Sequence, residues 1–149
     1  RAIVAAQRLT SLQRANGGWP WLYDADRGVV VEPFEIYSVH QDAMAPMAFH
    51  ELSAATGMDT EEIVNLGLKW LYGENELAAN MMDENNGLIY RSIRRKPTQA
   101  RISLYWRTLM SAAGVSPQKE PRPLSLEINL TCRPYHLGWI LEAWCEGDS

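Results

Sequence analysis

The chain has 149 residues, of which 46% are hydrophobic and 21% charged, and a formal net charge of −4. That is enough apolar material for one ordinary domain with a real core, so the chain need not be disordered. The acidic balance argues against a general nucleic-acid binder. No run reads as a membrane span or a signal peptide, so no membrane partner is expected.

Residues 2–15 read as a helix, with Ile3, Ala6, Leu9 and Leu12 near the helical period. Asn16-Gly17-Gly18 ends it, because glycine accepts the left-handed conformation common at helix C-termini. Residues 19–23 and 28–37 are rich in Trp, Tyr, Val and Ile, and "DADRG" between them predicts a turn, giving a short irregular β-hairpin. Residues 42–56 are expected to be helical, with Asp42 as N-cap, Pro46 in the first turn, and Met44, Met47 and Leu52 inward. Asp59-Thr-Glu-Glu62 has the form of a capping box. Ile63, Leu66, Trp70 and Leu71 then mark one face of a helix ending at Gly73.

Residues 74–81 read as a short, imperfect helix, followed by a turn and short strand in "DENNGLIYRSI". Thr98 is expected to cap a helix to about Ala113, with Ile102, Tyr105, Leu109 and Ala112 inward. The prolines at 117, 121 and 123 predict a loop or extended crossing over 114–127. Pro134 opens a last helix on which Leu137, Ile140, Leu141 and Trp144 form an apolar stripe. "ANGGWPWLY" (15–23) and "NNGLIYR" (85–91) suggest a faint internal repeat of turns joining stacked helical hairpins.

Cys132 and Cys145 flank the last helix, which would hold them roughly 20 Å apart. They are expected to be free thiols, in keeping with a reducing, cytoplasmic compartment. No cysteine spacing suggests a metal, and neither metal nor cofactor is expected.

"LTSLQRANGGW", residues 9–19, resembles the Gln-Trp motif of the α/α-toroid superfamily, through Leu9, Leu12, Gln13, Gly17, Gly18 and Trp19. Such motifs occur in terpenoid cyclases, prenyltransferases and related barrels, and six-hairpin glycosidase-like proteins are built on similar toroids. The resemblance implies an all-α fold of antiparallel helical hairpins forming part of a toroid, with short β-hairpin-like rim loops. It implies that Gln13 ties a helix end to the following loop and that Trp19 packs there. The expected organisation is a single helical domain over 1–149, a piece of a larger toroid protein, whose remainder is one expected partner. No Asp-rich protonation motif, Asp-Asp-x-x-Asp motif or Asp-x-Cys zinc set is present.

Three constellations carry candidate chemistry. "EPFEIYSVHQDAM" offers Glu32, Glu35, Tyr37, His40 and Asp42 where a loop enters a helix. Tyr37 and His40 suit proton donation and acceptance; the bland alternative makes Asp42 a cap and His40 a backbone partner. "GLIYRSIRRK" offers Tyr90 and Arg91, the latter able to pair with a carboxylate or to be an ordinary strand residue. "CRPYHLGW" offers Arg133, Tyr135 and His136.

The candidate catalytic set is therefore Tyr37, His40, Asp42, Tyr90 and Arg91. The candidate substrate-binding set is Trp19, Trp21, Glu32, Arg133, Tyr135 and His136; Trp19 and Trp21 either seal the rim or stack on a ligand. Arg91, Arg94, Arg95, Lys96, Arg101 and Arg107 make a basic cluster that reads as a solvated face or an anion site.

Tyr, His and Arg are the residue types that toroid carbohydrate enzymes use on uronic acids. The resemblance thus implies a hydrolase, lyase or epimerase binding an oligosaccharide or anionic sugar in a polar, aromatic groove. Hydrolysis needs a pair of carboxylates, and no spacing selects two among Glu32, Glu35, Asp42, Glu74 and Glu76. The alternatives are a non-catalytic helical interaction module or part of a larger enzyme, marked by exposed apolar surface, and a terpenoid-cyclase-like protein, marked by a deep aromatic pocket with one acid.

Overall fold

A computed structural model describes residues 1–20, 22–97, 109–110, 113 and 125–145. Among them are four α-helices, one π-helical segment and seven short strands in three sheets. The fold is mixed α/β. The expected all-α set of toroid hairpins is overturned by the sheets, above all by one that joins three distant stretches of chain.

Helix α1 (Ala2–Thr10) stops five residues short of the expected 2–15. The chain then turns, and the Gln13 amide donates to Gly17 O at 2.9 Å and to Ile63 O at 3.0 Å. Gly17 has φ +87°, and a Cβ there would lie 1.9 Å from Leu66 O, so the corner sits hard against the next helix but one. Strands β1 (Leu22–Asp24) and β2 (Val29–Glu32) form the expected hairpin. Asp24 Oδ1 accepts the Asp26 and Arg27 N–H groups and folds the turn between them.

After β3 (Ile36–Tyr37) comes a π segment, His40–Met44, in which the Ala45 N–H reaches back five residues to His40 O. Helix α2 (Ala45–Thr56) follows, with Pro46 in its first turn. Asp42 is therefore not an N-cap; its carboxylate is engaged elsewhere. Helix α3 (Glu61–Leu71) begins with Asp59 Oδ1 accepting the Glu61 N–H at 3.1 Å, while Thr60 donates to Phe49 O. Residues 74–81 are not helical. The Asn75 amide donates to Trp70 O and Ala79 O, and its oxygen accepts from Leu77 and Ala79 N–H, which holds an irregular turn.

Strands β4 (Met82–Asp83) and β5 (Leu88–Ile89) make a second hairpin, and β6 (Ser92–Arg95) follows. Strand β7 (Leu126–Asn129) occupies part of the expected loop. The three-stranded sheet has the order β3-β6-β7, all antiparallel, with Ile36 opposite Ile93 and Ile93 opposite Ile128. Helix α4 (Pro134–Trp144) lies where expected. The expected helix over 98–113 falls mostly outside the described residues; Leu109 and Met110 are helical and exposed.

The internal repeat exists in another register. Asp24–Gly28 and Asp83–Gly87 are equivalent turns: each aspartate accepts a backbone N–H within the turn, and each closing glycine is left-handed. The repeating unit is helix, hairpin, strand: α1-β1-β2-β3 and then α3-β4-β5-β6. Its two last strands pair with each other.

The main core lies between α3 and the three-stranded sheet: Phe34, Ile36, Trp70, Leu71, Met81, Ile93 and Leu126. Fully burying such side chains contributes about 1.5–3 kcal/mol each. Trp19, Phe49 and Val64 form a smaller cluster. The stripe on α4 packs only in part: Leu137 and Leu141 are 61% and 51% exposed, Ile140 is half-buried, Trp144 meets the His50 ring edge-on, and the helix's buried residues are His136 and Ala143. Met44, expected inward, is also exposed.

Candidate functional site

The three-stranded sheet gathers polar residues from distant stretches at one end. Glu35, just before β3, accepts Ser92 Oγ from β6 and the Asn129 amide from β7 (3.2 Å) on Oε1, and the Tyr37 hydroxyl (3.1 Å) on Oε2. Backbone pairing continues past the strand ends: the Ser38 N–H donates to Arg91 O, and the Arg91 N–H to Asn129 O and Thr131 O. The Ser38 hydroxyl donates to Tyr90 O at 2.6 Å. These bonds fix Tyr37 and Arg91 side by side.

The Arg91 guanidinium carbon lies 5.3 Å from the Tyr37 ring centre, and the His40 ring lies 5.3 Å from it as well. Arg91 Nε is buried with no hydrogen-bond partner among the described residues. Burial raises the Tyr37 pKa, the Glu35 carboxylate raises it further, and Arg91 pulls the other way; the phenol stays protonated near neutrality. Burial holds the His40 pKa below its ordinary value, so the imidazole is neutral there and able to accept a proton. The row His40–Tyr37–Arg91 thus offers a proton acceptor, a phenol and a cation.

His40 is also a wall of a cleft of about 500 Å³ between α1 and α2. Its other walls include Ala5, Ala6, Ala48, Leu52, Trp19 and Phe49. Tyr23 lines it too, its pKa pushed up to about 12 by burial. This is an apolar cleft, not the polar groove expected, and the polar row stands at its His40 end.

The other candidates are placed as follows. Asp42 is buried in the π segment: its Oδ1 lies 2.6 Å from His136 Nε2, and its backbone O accepts the Trp144 indole N–H at 2.6 Å. Asp42 Oδ2 is buried and unpartnered among the described residues. Burial raises the Asp42 pKa, and His136 opposes the rise. Asp42 also lines a pocket of about 260 Å³ with Leu71, Tyr72, Met82 and Trp144, smaller than the usual range for a drug-sized ligand.

Tyr90 turns to the other hairpin, its hydroxyl donating to Asp83 at 3.2 Å. Glu32 is buried in an ion pair with Arg95 (3.0 Å). Arg133 and Tyr135 are exposed on the first turn of α4 and are not drawn into the row. Trp19 is buried and stacks on Phe49 with ring centres 5.9 Å apart. Trp21, Arg101 and Arg107 lie outside the described residues. Arg94 pairs with Glu127 at 2.9 Å, so the basic cluster is dispersed among separate partners.

The sequence reading did not select Ser92 and Asn129. Nothing local marks them; only the pairing of β3, β6 and β7 brings them to Glu35. Both cysteines are free and exposed. No helix among the described residues is long and apolar enough to cross a membrane. Comparison with known protein families, curated proteins and solved structures finds no match to this chain.

Proposed function

We propose that the chain binds and processes an acidic sugar at the row His40–Tyr37–Arg91, by elimination or epimerisation. One observation carries this reading: a guanidinium with a buried, unpartnered Nε stands beside a protonated phenol and a neutral imidazole. A uronate carboxylate satisfies the Nε and makes charge-assisted bonds to Arg91. His40 is suited to take the acidic proton from the carbon next to that carboxylate. In elimination the electron pair left behind forms a double bond and expels the substituent on the adjacent ring carbon, whose oxygen takes the Tyr37 proton; in epimerisation Tyr37 returns a proton to the opposite face. Hydrolysis has less support. It needs two available carboxylates; of the five candidates Glu32, Glu35, Asp42 and Glu76 are each engaged through at least one oxygen, which leaves Glu74 alone. The free thiols accord with a cytoplasmic setting.

The test is a glycan-binding screen with uronate oligosaccharides and their neutral counterparts. Uronates are expected to bind about tenfold or more tightly than the neutral forms, and Arg91→Ala to remove that preference. Tyr37→Phe is expected to spare most of the affinity and lower turnover. Equal binding of neutral and acidic glycans sinks the reading.

A second reading, an interaction module or part of a larger enzyme, is favoured by the apolar surface of α4, where Leu137, Trp139, Leu141 and Trp144 are all exposed. Light scattering across a concentration series tests it: self-association would support it, and a monodisperse monomer at high concentration would count against it.

A further inference from the structure

The cleft between α1 and α2 has the wrong chemistry for a bare sugar chain. Its walls are alanines on α1 and α2, with a stacked Trp19–Phe49 pair between them. Hydroxyls pressed against such walls would lose water without gaining partners. Yet the cleft is continuous with the polar row, because His40 belongs to both. Polarity therefore rises in one direction: apolar cleft, neutral imidazole, phenol, guanidinium.

We infer that the acidic sugar is presented on an apolar carrier, and that the cleft between α1 and α2 seats the carrier; the ligand class is an anionic glycoside with a lipid-like aglycone. The inference rests on the acidic-sugar reading and extends it. A volume of about 500 Å³ lies within the range of ligand sites. Alanines on both walls leave room between the helices, and the flat aromatic pair suits an extended hydrocarbon. Leu9 and Met44, 47% and 41% exposed, line the same cleft and offer further apolar surface to a bound chain. A purely apolar ligand would leave the Arg91 end unused, and a plain oligosaccharide would leave the cleft unused. An amphipathic anionic glycoside uses both.

Calorimetric titration with methyl β-D-glucuronide, octyl β-D-glucuronide and octyl β-D-glucoside, all below micelle-forming concentrations, tests this. The octyl glucuronide is expected to bind about tenfold or more tightly than the methyl glucuronide, since each methylene withdrawn from water adds affinity. Ala48→Phe, an exposed position on one wall, is expected to shrink that gain to about threefold or less. Ala5→Phe on the facing wall is expected to do the same, with near-ultraviolet circular dichroism confirming the fold of each variant. Equal affinity for methyl and octyl glucuronide overturns the carrier inference and leaves the acidic-sugar reading standing. A gain that survives both wall variants overturns it too, because the tail then lies elsewhere. Octyl glucoside binding as tightly as octyl glucuronide removes the acidic head and overturns both.

Discussion

Beside the cleft, the His40 imidazole loses more water contact on protonation than a free histidine does, so its folded-state pKa lies below 6.5. Between that lower value and 6.5, the unfolded chain binds more protons than the native one. Stability from this residue is therefore complete above pH 6.5 and drains away as pH falls through that window. Denaturant titrations at pH 7.5 and pH 5.5 are expected to show a smaller loss in His40→Gln than in the unsubstituted chain. Turnover that depends on neutral His40 should fall in the same direction. Gly17 is a second residue-scale constraint. Gly17→Ala sets a methyl against Leu66 O in a left-handed backbone, and is expected to cost more than about 2 kcal/mol by chemical denaturation. Tyr37, His40 and Arg91 were legible in the sequence because their side chains announce their chemistry. Ser92 and Asn129 were not, because a serine and an asparagine in short extended runs announce nothing until the strands pair.

At the scale of elements, the π segment is the hub on which α2, α3 and α4 meet. Such segments recur at functional sites, since the extra residue per turn re-aims side chains. Here it sends His40 toward the cleft and Asp42 toward α4. The Asp42–His136 contact and the Trp144 indole bond pin the last helix at both ends. His136→Ala removes the hydrogen-bond partner of the buried Asp42 carboxyl and is expected to cost about 1–3 kcal/mol in urea unfolding. The double change Leu137→Gln with Leu141→Gln is expected to stay within about 0.5 kcal/mol per site in the same assay, because both side chains already face solvent. Periodicity located α4 correctly but caught its packed face only in part, through Ile140 and Trp144. Leu137 and Leu141 satisfy the apolar template, and the face that packs is chosen by a polar contact, His136 with Asp42, that no hydrophobic count can see. The first hairpin was legible because "DADRG" between Val-rich and Trp-rich runs is a strong turn signal. Residues 74–81 misled because the Asn75 side chain substitutes for a helix with its own set of bonds.

For the molecule as a whole, the expectation of an all-helical body failed on strands of two to four residues, too short for alternation to register against the helical period. The helices that periodicity found are largely real; what it missed is the sheet that joins the two helix–hairpin–strand units and recruits β7 from much later in the chain. That sheet sets the order in which the protein can be completed. A nascent chain emerging from its N-terminus can wind α1 and close the first hairpin early, and Tyr37 and His40 exist from then on as residues without a frame. Glu35 acquires its Ser92 bond only once β6 has been made, and its Asn129 bond only once β7 has followed. Until then the His40–Tyr37–Arg91 row has no fixed geometry, so a ribosome-stalled chain ending before residue 129 should be unable to retain ligand, whereas one that exposes α4 should retain it.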